Sequence, residues 1–124
     1  MRSIDDLIAE HKPGYSLDQR FYTDHDVYAR ELERIIYRNW IFAGHMSQFA
    51  ETGDFRVLDV AGESAIIVRN SDGGLNAFAN VCRHRGSLVC LEESGHTDKF
   101  TCPYHGWMYD LDGGLIAARD MPED

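Results

Sequence analysis

Apolar positions recur with the period of a helix in only one segment, residues 23–40, TDHDVYARELERIIYRNW. Thr23 is suited to cap the first turn, acidic residues follow it, and arginines lie near the end, as the helix dipole favours. The apolar side chains of this segment share one face and form a stripe for packing: Tyr28, Leu32, Ile35 and Ile36. We therefore predict one N-terminal helix.

Residues 1–20, which precede this helix, are polar and have no regular hydrophobic period. They are interrupted by KPG at 12–14, a sequence that breaks regular structure. We predict that residues 1–20 form an irregular N-terminal arm.

After Gly44 the pattern changes to short β-rich runs separated by turn sequences. The turns are AGE (61–63), SDGG (71–74) and a later DGG, which suit tight reversals between antiparallel strands. The predicted strands are WIFA (40–43), FRVLDV (55–60), SAIIVRN (64–70), LNAFAN (75–80), KFTC (99–102), WMYDL (107–111) and LIAARD (115–120). Six or seven short strands at this spacing predict a mainly β fold, a small antiparallel sandwich or barrel.

Length and composition are consistent with a single domain. The chain has 124 residues, of which 44% are hydrophobic and 27% charged, in the ordinary globular range. We predict an arm over 1–20 and one domain, with its leading helix, over 21–124.

The formal net charge of −9 argues against a nucleic-acid-binding surface, which needs clustered lysine and arginine. No apolar run has the length of a signal peptide's core or of a membrane helix. We therefore expect no nucleic-acid partner, no membrane association and a cytoplasmic location.

Three cysteines are present, and two of them stand in pairs with histidines. The pairs are Cys82-x-His84 and Cys102-x-x-His105, and Cys90 is left over. A low, odd cysteine count without a secretion signal favours reduced thiols that bind metal or act in catalysis. Both pairs follow predicted strands, so two hairpins could hold one object between their loops.

Zinc is the first metal to consider, because two cysteines and two histidines form a common zinc site. Such sites usually have both cysteines first, whereas here each loop supplies one of each. A gap of one residue is also tight for two ligands of one tetrahedral ion. The spacing fits two neighbouring irons better, with the cysteines on one and the histidines on the other, as in a Rieske [2Fe–2S] centre.

The sequences around the pairs, NVCRHRG and CPYHGWMYDLDG, resemble the Rieske domain of ring-hydroxylating (Rieske non-haem iron) oxygenase α subunits. The resemblance covers about residues 15–123 and includes FYTD, NWIFAGH and LDGGLIAARDMPE. It implies a Rieske-type [2Fe–2S] cluster with four ligands: Cys82, His84, Cys102 and His105. It also implies a β-sandwich with two cluster-binding loops.

The same resemblance implies one-electron transfer, with electrons arriving from a ferredoxin or flavin reductase and passing to the mononuclear iron of an oxygenase catalytic domain. That iron needs two histidines and a carboxylate. We find no such spacing among His11, His25, His45 and His96, so we expect no catalytic residues and an isolated or truncated oxygenase domain. The alternatives are a free-standing Rieske-type ferredoxin and a zinc-binding interaction module.

Residues near the pairs have simpler interpretations. Trp107 and Tyr109 share one face of a predicted strand, which favours core packing over shielding of a cluster. Arg83 and Arg85 are equally consistent with plain surface charges and with groups that balance the charge of a reduced cluster. Cys90 is expected to be a small buried hydrophobic residue, and His45 to be structural.

Overall fold

The structure is a computed structural model that describes residues 3–121. The chain divides into two compact units, Met1–Phe42 and Ala43–Asp124. Because compact units and functional domains need not share a boundary, the division into an arm (1–20) and a domain (21–124) stays a prediction.

The first unit is helical. Its elements are α1 (Ile4–Glu10), α2 (Arg20–Thr23), α3 (His25–Arg34) and a 3-10 helix, Ile36–Arg38. The prediction of an irregular segment is wrong for α1, because Ser3 and Asp6 form a reciprocal cap. The Ser3 side chain accepts the Asp6 N–H at 3.1 Å, and the Asp6 carboxylate accepts the Ser3 N–H at 2.9 Å.

The predicted long helix (residues 23–40) is shorter in the structure, where α3 ends at Arg34 and begins after Asp24. The Asp24 carboxylate accepts the Asp26 N–H at 2.9 Å and so starts α3, whereas the predicted cap, Thr23, ends α2.

The predicted apolar stripe is right only for Leu32 and Ile36, which are half-buried. Val27 is the buried residue of α3, at 4% exposure, while Tyr28 and Ile35 are each 52% exposed.

The second unit contains two antiparallel sheets, which confirms the mainly β prediction. The first sheet has the order β3-β2-β1-β4 and the second the order β5-β6-β7. The strands are β1 (Asp54–Val60), β2 (Glu63–Arg69), β3 (Leu75–Ala79), β4 (Ser94–His96), β5 (Phe100–Thr101), β6 (Met108–Tyr109) and β7 (Leu115–Ala117).

Two differences from the predicted strands have physical causes. WIFA (40–43) is not a strand, since it has no partner in either sheet. The polar β4 was not predicted, and it forms by pairing with β1. Gly95 permits this pairing, because a Cβ there would lie 3.0 Å from the Phe55 ring opposite it.

One hydrophobic core joins the two sheets. Phe100 of β5 packs edge-to-face against Phe55 of β1 and Phe78 of β3, with ring centroids 5.3 and 5.8 Å apart. The same cluster contains Cys82 and Cys102. The two thiols therefore lie in the hydrophobic interior rather than on a surface loop.

Two matching turns connect the sheets a second time. In residues 70–74 and 110–114 the first residue's N–H bonds the fifth residue's carbonyl, at 3.0 and 2.9 Å respectively. The Asn76 amide donates to Asp112 at 2.5 Å, so the first sheet bonds the turn of the second. Gly113 is needed at this contact, since it has φ +84° and a Cβ there would lie 3.1 Å from the Phe78 ring.

Within residues 3–121, the structure has no helix of the length and hydropathy that a membrane span requires.

The turn between β1 and β2 offers a test of the fold. Ala61 and Gly62 have φ of 54° and 88°, and the flanking Val60 and Glu63 are paired, as in a type I′ turn. Alanine is unfavourable in this left-handed conformation, whereas asparagine adopts it more easily. We expect Ala61→Asn to raise the free energy of unfolding by about 0.5–1 kcal/mol.

Thermal and chemical denaturation of the purified protein would measure this change. Ala61→Val is the matched control, because a β-branched side chain disfavours positive φ and should lower stability. A stabilising valine or a destabilising asparagine would contradict the assigned turn geometry.

Candidate metal centre

Two hexapeptide loops, residues 82–87 and 102–107, share one backbone geometry. The Cys82 N–H bonds the Ser87 carbonyl at 2.8 Å, and the Cys102 N–H bonds the Trp107 carbonyl at 2.8 Å. The glycine four residues after each cysteine donates back to that cysteine's carbonyl, at 2.8 and 2.9 Å. Both glycines, Gly86 and Gly106, have φ +75°, a conformation that glycine adopts without strain.

The histidines occupy different positions in these matched loops. His84 is the third residue of the first loop, and His105 is the fourth residue of the second. Their rings nevertheless meet in a T-shaped contact with centroids 4.7 Å apart. The two imidazoles thus meet although they occupy different positions in loops of the same backbone geometry.

The thiols and imidazoles form an inner and an outer pair. Cys82 and Cys102 are each 2% exposed and belong to one buried cluster. His84 is exposed and His105 partly buried. The structure thus brings the four predicted site residues together as a sulfur pair in the core and a nitrogen pair towards solvent.

His105 provides a test of whether the site fits a metal cofactor. Its Nδ1 atom is buried and has no hydrogen-bond partner among residues 3–121. A buried ring nitrogen without a partner costs free energy, and a bond to iron would satisfy it. Two thiolates beside two imidazoles are also the donor set of a Rieske-type [2Fe–2S] cluster. Across residues 3–121, no three or more histidine, cysteine or acidic side chains are grouped to hold a single metal ion.

The surroundings of Cys102 favour the thiolate, the form that binds metals. Burial by itself would raise the pKa of this thiol. Hydrogen bonds from the Tyr104 N–H, the Ser87 hydroxyl, Cys82 and the His105 N–H outweigh burial, so the pKa lies below its ordinary value.

Tyr109 supplies a hydroxyl on the sulfur side. Its oxygen accepts the Arg83 N–H at 3.0 Å and lies 3.3 Å from Cys82 Sγ. Burial and then the hydrogen bond with Cys82 raise the pKa of Tyr109, so the phenol keeps its proton. With its oxygen already accepting, the hydroxyl is directed to donate to the sulfur.

Trp107 packs on the nitrogen side. Its ring stacks on His84 with centroids 4.6 Å apart and planes 14° apart, and its indole N–H donates to the Arg119 carbonyl at 3.3 Å. The prediction of core packing for Trp107 and Tyr109 is confirmed, at 6% and 5% exposure. Both residues also contact the site, a role that the sequence favoured less.

Sequence reasoning missed Ser87, whose hydroxyl lies 3.8 Å from Cys102 Sγ. Its position in the loop was the signal in the sequence that could have identified it. Ser87 stands five residues after Cys82, as Trp107 stands five residues after Cys102, so it closes a loop of the same length.

The remaining candidate residues lie outside the two loops. Cys90 is a free thiol that is half-buried rather than fully buried as expected. It donates weakly to the Glu92 carbonyl at 3.6 Å, and burial raises its pKa. His45 is structural, as predicted, since its Nδ1 accepts the Ser47 N–H at 3.2 Å and caps a 3-10 helix. His96 pairs with Asp54 at 2.8 Å.

Comparison with known proteins identifies relatives of this chain. A family model described as the Rieske [2Fe-2S] domain matches residues 39–123. The glycine betaine monooxygenase oxygenase subunit of Chromohalobacter salexigens is 39% identical over 120 residues, covering 96% of this chain and 27% of the relative. The biphenyl 2,3-dioxygenase subunit alpha of Rhodococcus jostii is 43% identical over 102 residues, covering 82% and 22%.

Solved structures show the same similarity. The apo form of a quaternary ammonium Rieske monooxygenase superposes with a TM-score of 0.81 at 37% identity, covering 97% of this chain and 35% of that chain. Naphthalene 1,2-dioxygenase with bound indole has a TM-score of 0.81 at 34% identity, covering 89% and 25%. The chain spans about a quarter of the length of the curated relatives it matches.

These matches confirm the resemblance inferred from the cysteine–histidine loops and support a Rieske-type [2Fe–2S] cluster as the cofactor. Because the family model covers most of the residues, including both loops, the chain belongs to the Rieske [2Fe-2S] domain family.

Proposed function

We propose that this chain carries single electrons through a [2Fe–2S] cluster held by Cys82, Cys102, His84 and His105. The observation that carries the proposal is the meeting of two matched loops. Their thiols share one buried cluster, and the buried His105 Nδ1 has no hydrogen-bond partner in the described part of the chain. When bound, such a cluster supplies reversible one-electron redox chemistry.

The surrounding residues give the site one buried and one exposed side, which suits electron transfer. The thiol pair lies in the hydrophobic core, where water is excluded and hydrogen bonds to sulfur are strong. His84 is exposed at the opposite side of the site and is held by the stacked Trp107 ring. Electrons would therefore enter or leave at the imidazole edge.

Three exposed arginines lie in or beside the loops that carry the imidazoles. Arg83 and Arg85 flank His84 in the first loop, and the Arg119 side chain lies 3.9 Å from where a Cβ of Gly106 would be. None of the three is ion-paired with a residue of the range 3–121. This arginine rim (Arg83, Arg85 and Arg119) is a local positive surface on a chain of net charge −9, and it suits a partner with carboxylates around its own redox centre.

We place this electron transfer within a Rieske non-haem iron oxygenase α subunit. The electron donor would be a ferredoxin or flavin reductase, and the acceptor the mononuclear iron of an oxygenase catalytic domain. Support comes from relatives that are oxygenase subunits and from an alignment that reaches into the helical unit, covering 96% of this chain. A free-standing ferredoxin explains this wider match less well.

The similarity of this segment does not separate the substrate classes of its relatives. Relatives named for glycine betaine and for biphenyl match at 39% and 43% identity over the same region. The quaternary-ammonium and naphthalene enzymes likewise superpose equally well, with TM-scores of 0.81.

We assign residues 21–124 to the cluster-bearing domain and residues 1–20 to an arm that precedes it.

Cluster content tests the ligand assignment. Purified protein should be red-brown and hold about two irons and two acid-labile sulfides per chain. Cys82→Ala and Cys102→Ala should abolish the visible absorption and lower the melting temperature, because metal binding contributes to the folding free energy of such sites.

Cys90→Ala is the matched control, since it removes the third thiol and should leave iron, sulfide and spectrum unchanged. Stoichiometric zinc without sulfide in the wild-type protein would overturn the proposal, as would loss of the cluster from Cys90→Ala alone.

The arginine rim predicts a salt-dependent partner. Arg83→Gln, Arg85→Gln and Arg119→Gln combined should slow reduction by an acidic ferredoxin about tenfold at low ionic strength, because electrostatic steering raises association rates. Stopped-flow kinetics over a series of salt concentrations would measure the rate constants.

Two controls separate steering from damage to the cluster. Reduction by an uncharged dye should be unaffected by the triple substitution. Arg56→Gln, which removes one charge from β1 outside both loops, should have a smaller effect than Arg85→Gln alone. Equal effects of these two single substitutions would show that only net charge matters.

A further inference from the structure

Ser87 reaches from the first loop to the cysteine of the second. Its carbonyl accepts the Cys82 N–H at 2.8 Å, which fixes its backbone in the first loop. Its hydroxyl lies 3.8 Å from Cys102 Sγ in partly buried surroundings. Within residues 3–121 this hydroxyl has no other hydrogen-bond partner.

We propose that Ser87 is a positioning residue that donates its hydroxyl hydrogen to the sulfur of Cys102 and thereby raises the redox potential of the centre. This inference rests on the proposed function, in which Cys102 is a cluster ligand. In a free thiol either atom could donate. A metal-bound thiolate has no proton, so the serine hydroxyl is then the only donor of the two.

The effect on potential follows from charge. Reduction adds negative charge to the site, and a hydrogen bond to a ligand sulfur stabilises the more negative state more strongly. Partial burial strengthens the bond relative to one in water. Ser87 therefore favours the reduced state, and removing its hydroxyl should lower the potential.

The two hydroxyls near the sulfurs, those of Tyr109 and Ser87, lie beside different cysteines. Tyr109, which is in the second sheet, lies beside Cys82 of the first loop, whereas Ser87, which is in the first loop, lies beside Cys102 of the second. Each cysteine thus has one hydroxyl donor that comes from outside its own loop. A change in the separation of the loops would alter both hydrogen bonds together.

The test compares side chains that differ in the hydroxyl alone. Ser87→Thr and Ser87→Val have nearly the same shape, and only threonine keeps the donor. Potentiometric titration should show that Ser87→Thr stays close to wild type, while Ser87→Val and Ser87→Ala have a reduction equilibrium constant about tenfold lower, or about 59 mV for a one-electron couple. Ser71→Ala, in the exposed turn 71–74, is the control and should not change the potential.

Resonance Raman spectroscopy adds a readout that does not depend on transfer activity. Exchange into D₂O should shift the iron–thiolate stretching bands of wild type and Ser87→Thr more than those of Ser87→Val. Iron and sulfide content is measured on every sample. A cluster-free wild-type protein would overturn the proposed function and this inference with it. Full clusters with equal potentials and equal isotope shifts in Ser87→Thr and Ser87→Val would overturn the inference alone.

Discussion

Two thiols can be buried in this core only because the loops that carry them form hydrogen bonds to their own backbone N–H and carbonyl groups. In each loop the cysteine N–H and carbonyl are both bonded, to the residues five and four positions later. A buried peptide group without such a partner would cost about as much as a hydrogen bond contributes. The positive φ of Gly86 and Gly106 closes both turns, so this local geometry makes the rest of the site possible.

The packing of the two sheets holds the loops at a fixed separation. The first loop follows β3 of the four-stranded sheet, and the second follows β5 of the three-stranded sheet. Phe55, Phe78 and Phe100 pack between the sheets, and the Asn76–Asp112 hydrogen bond joins them again at the matched turns. Displacement of one sheet would separate the thiols and the imidazoles together.

The site therefore has a different environment on each side. The sulfur side is enclosed by hydrophobic side chains and has the hydroxyls of Tyr109 and Ser87 beside the sulfurs. The nitrogen side is open at His84, which Trp107 supports from beneath. Hydrogen bonds in the enclosed part can tune a potential, while the open part allows close approach of a partner. In the proposed function, the residues that tune the potential would thus be separate from those that a partner approaches.

Much of this organisation could be predicted from the sequence, because local chemistry determines it. The order of cysteines and histidines indicated two irons rather than one zinc, and the glycine-rich turns with β-rich runs indicated the antiparallel strands. Those features depend on residues close in sequence, so they can be predicted without knowledge of the fold.

Contacts between distant residues were decided by the tertiary structure alone. Strand β4 exists because a glycine faces Phe55, although its own sequence is polar. Ser87 and Tyr109 acquire their roles because separate segments bring hydroxyls to the sulfurs, across 15 and 27 residues of sequence respectively. Cross-loop distances depend on how the two sheets pack, and a pattern along one chain segment carries no information about that separation.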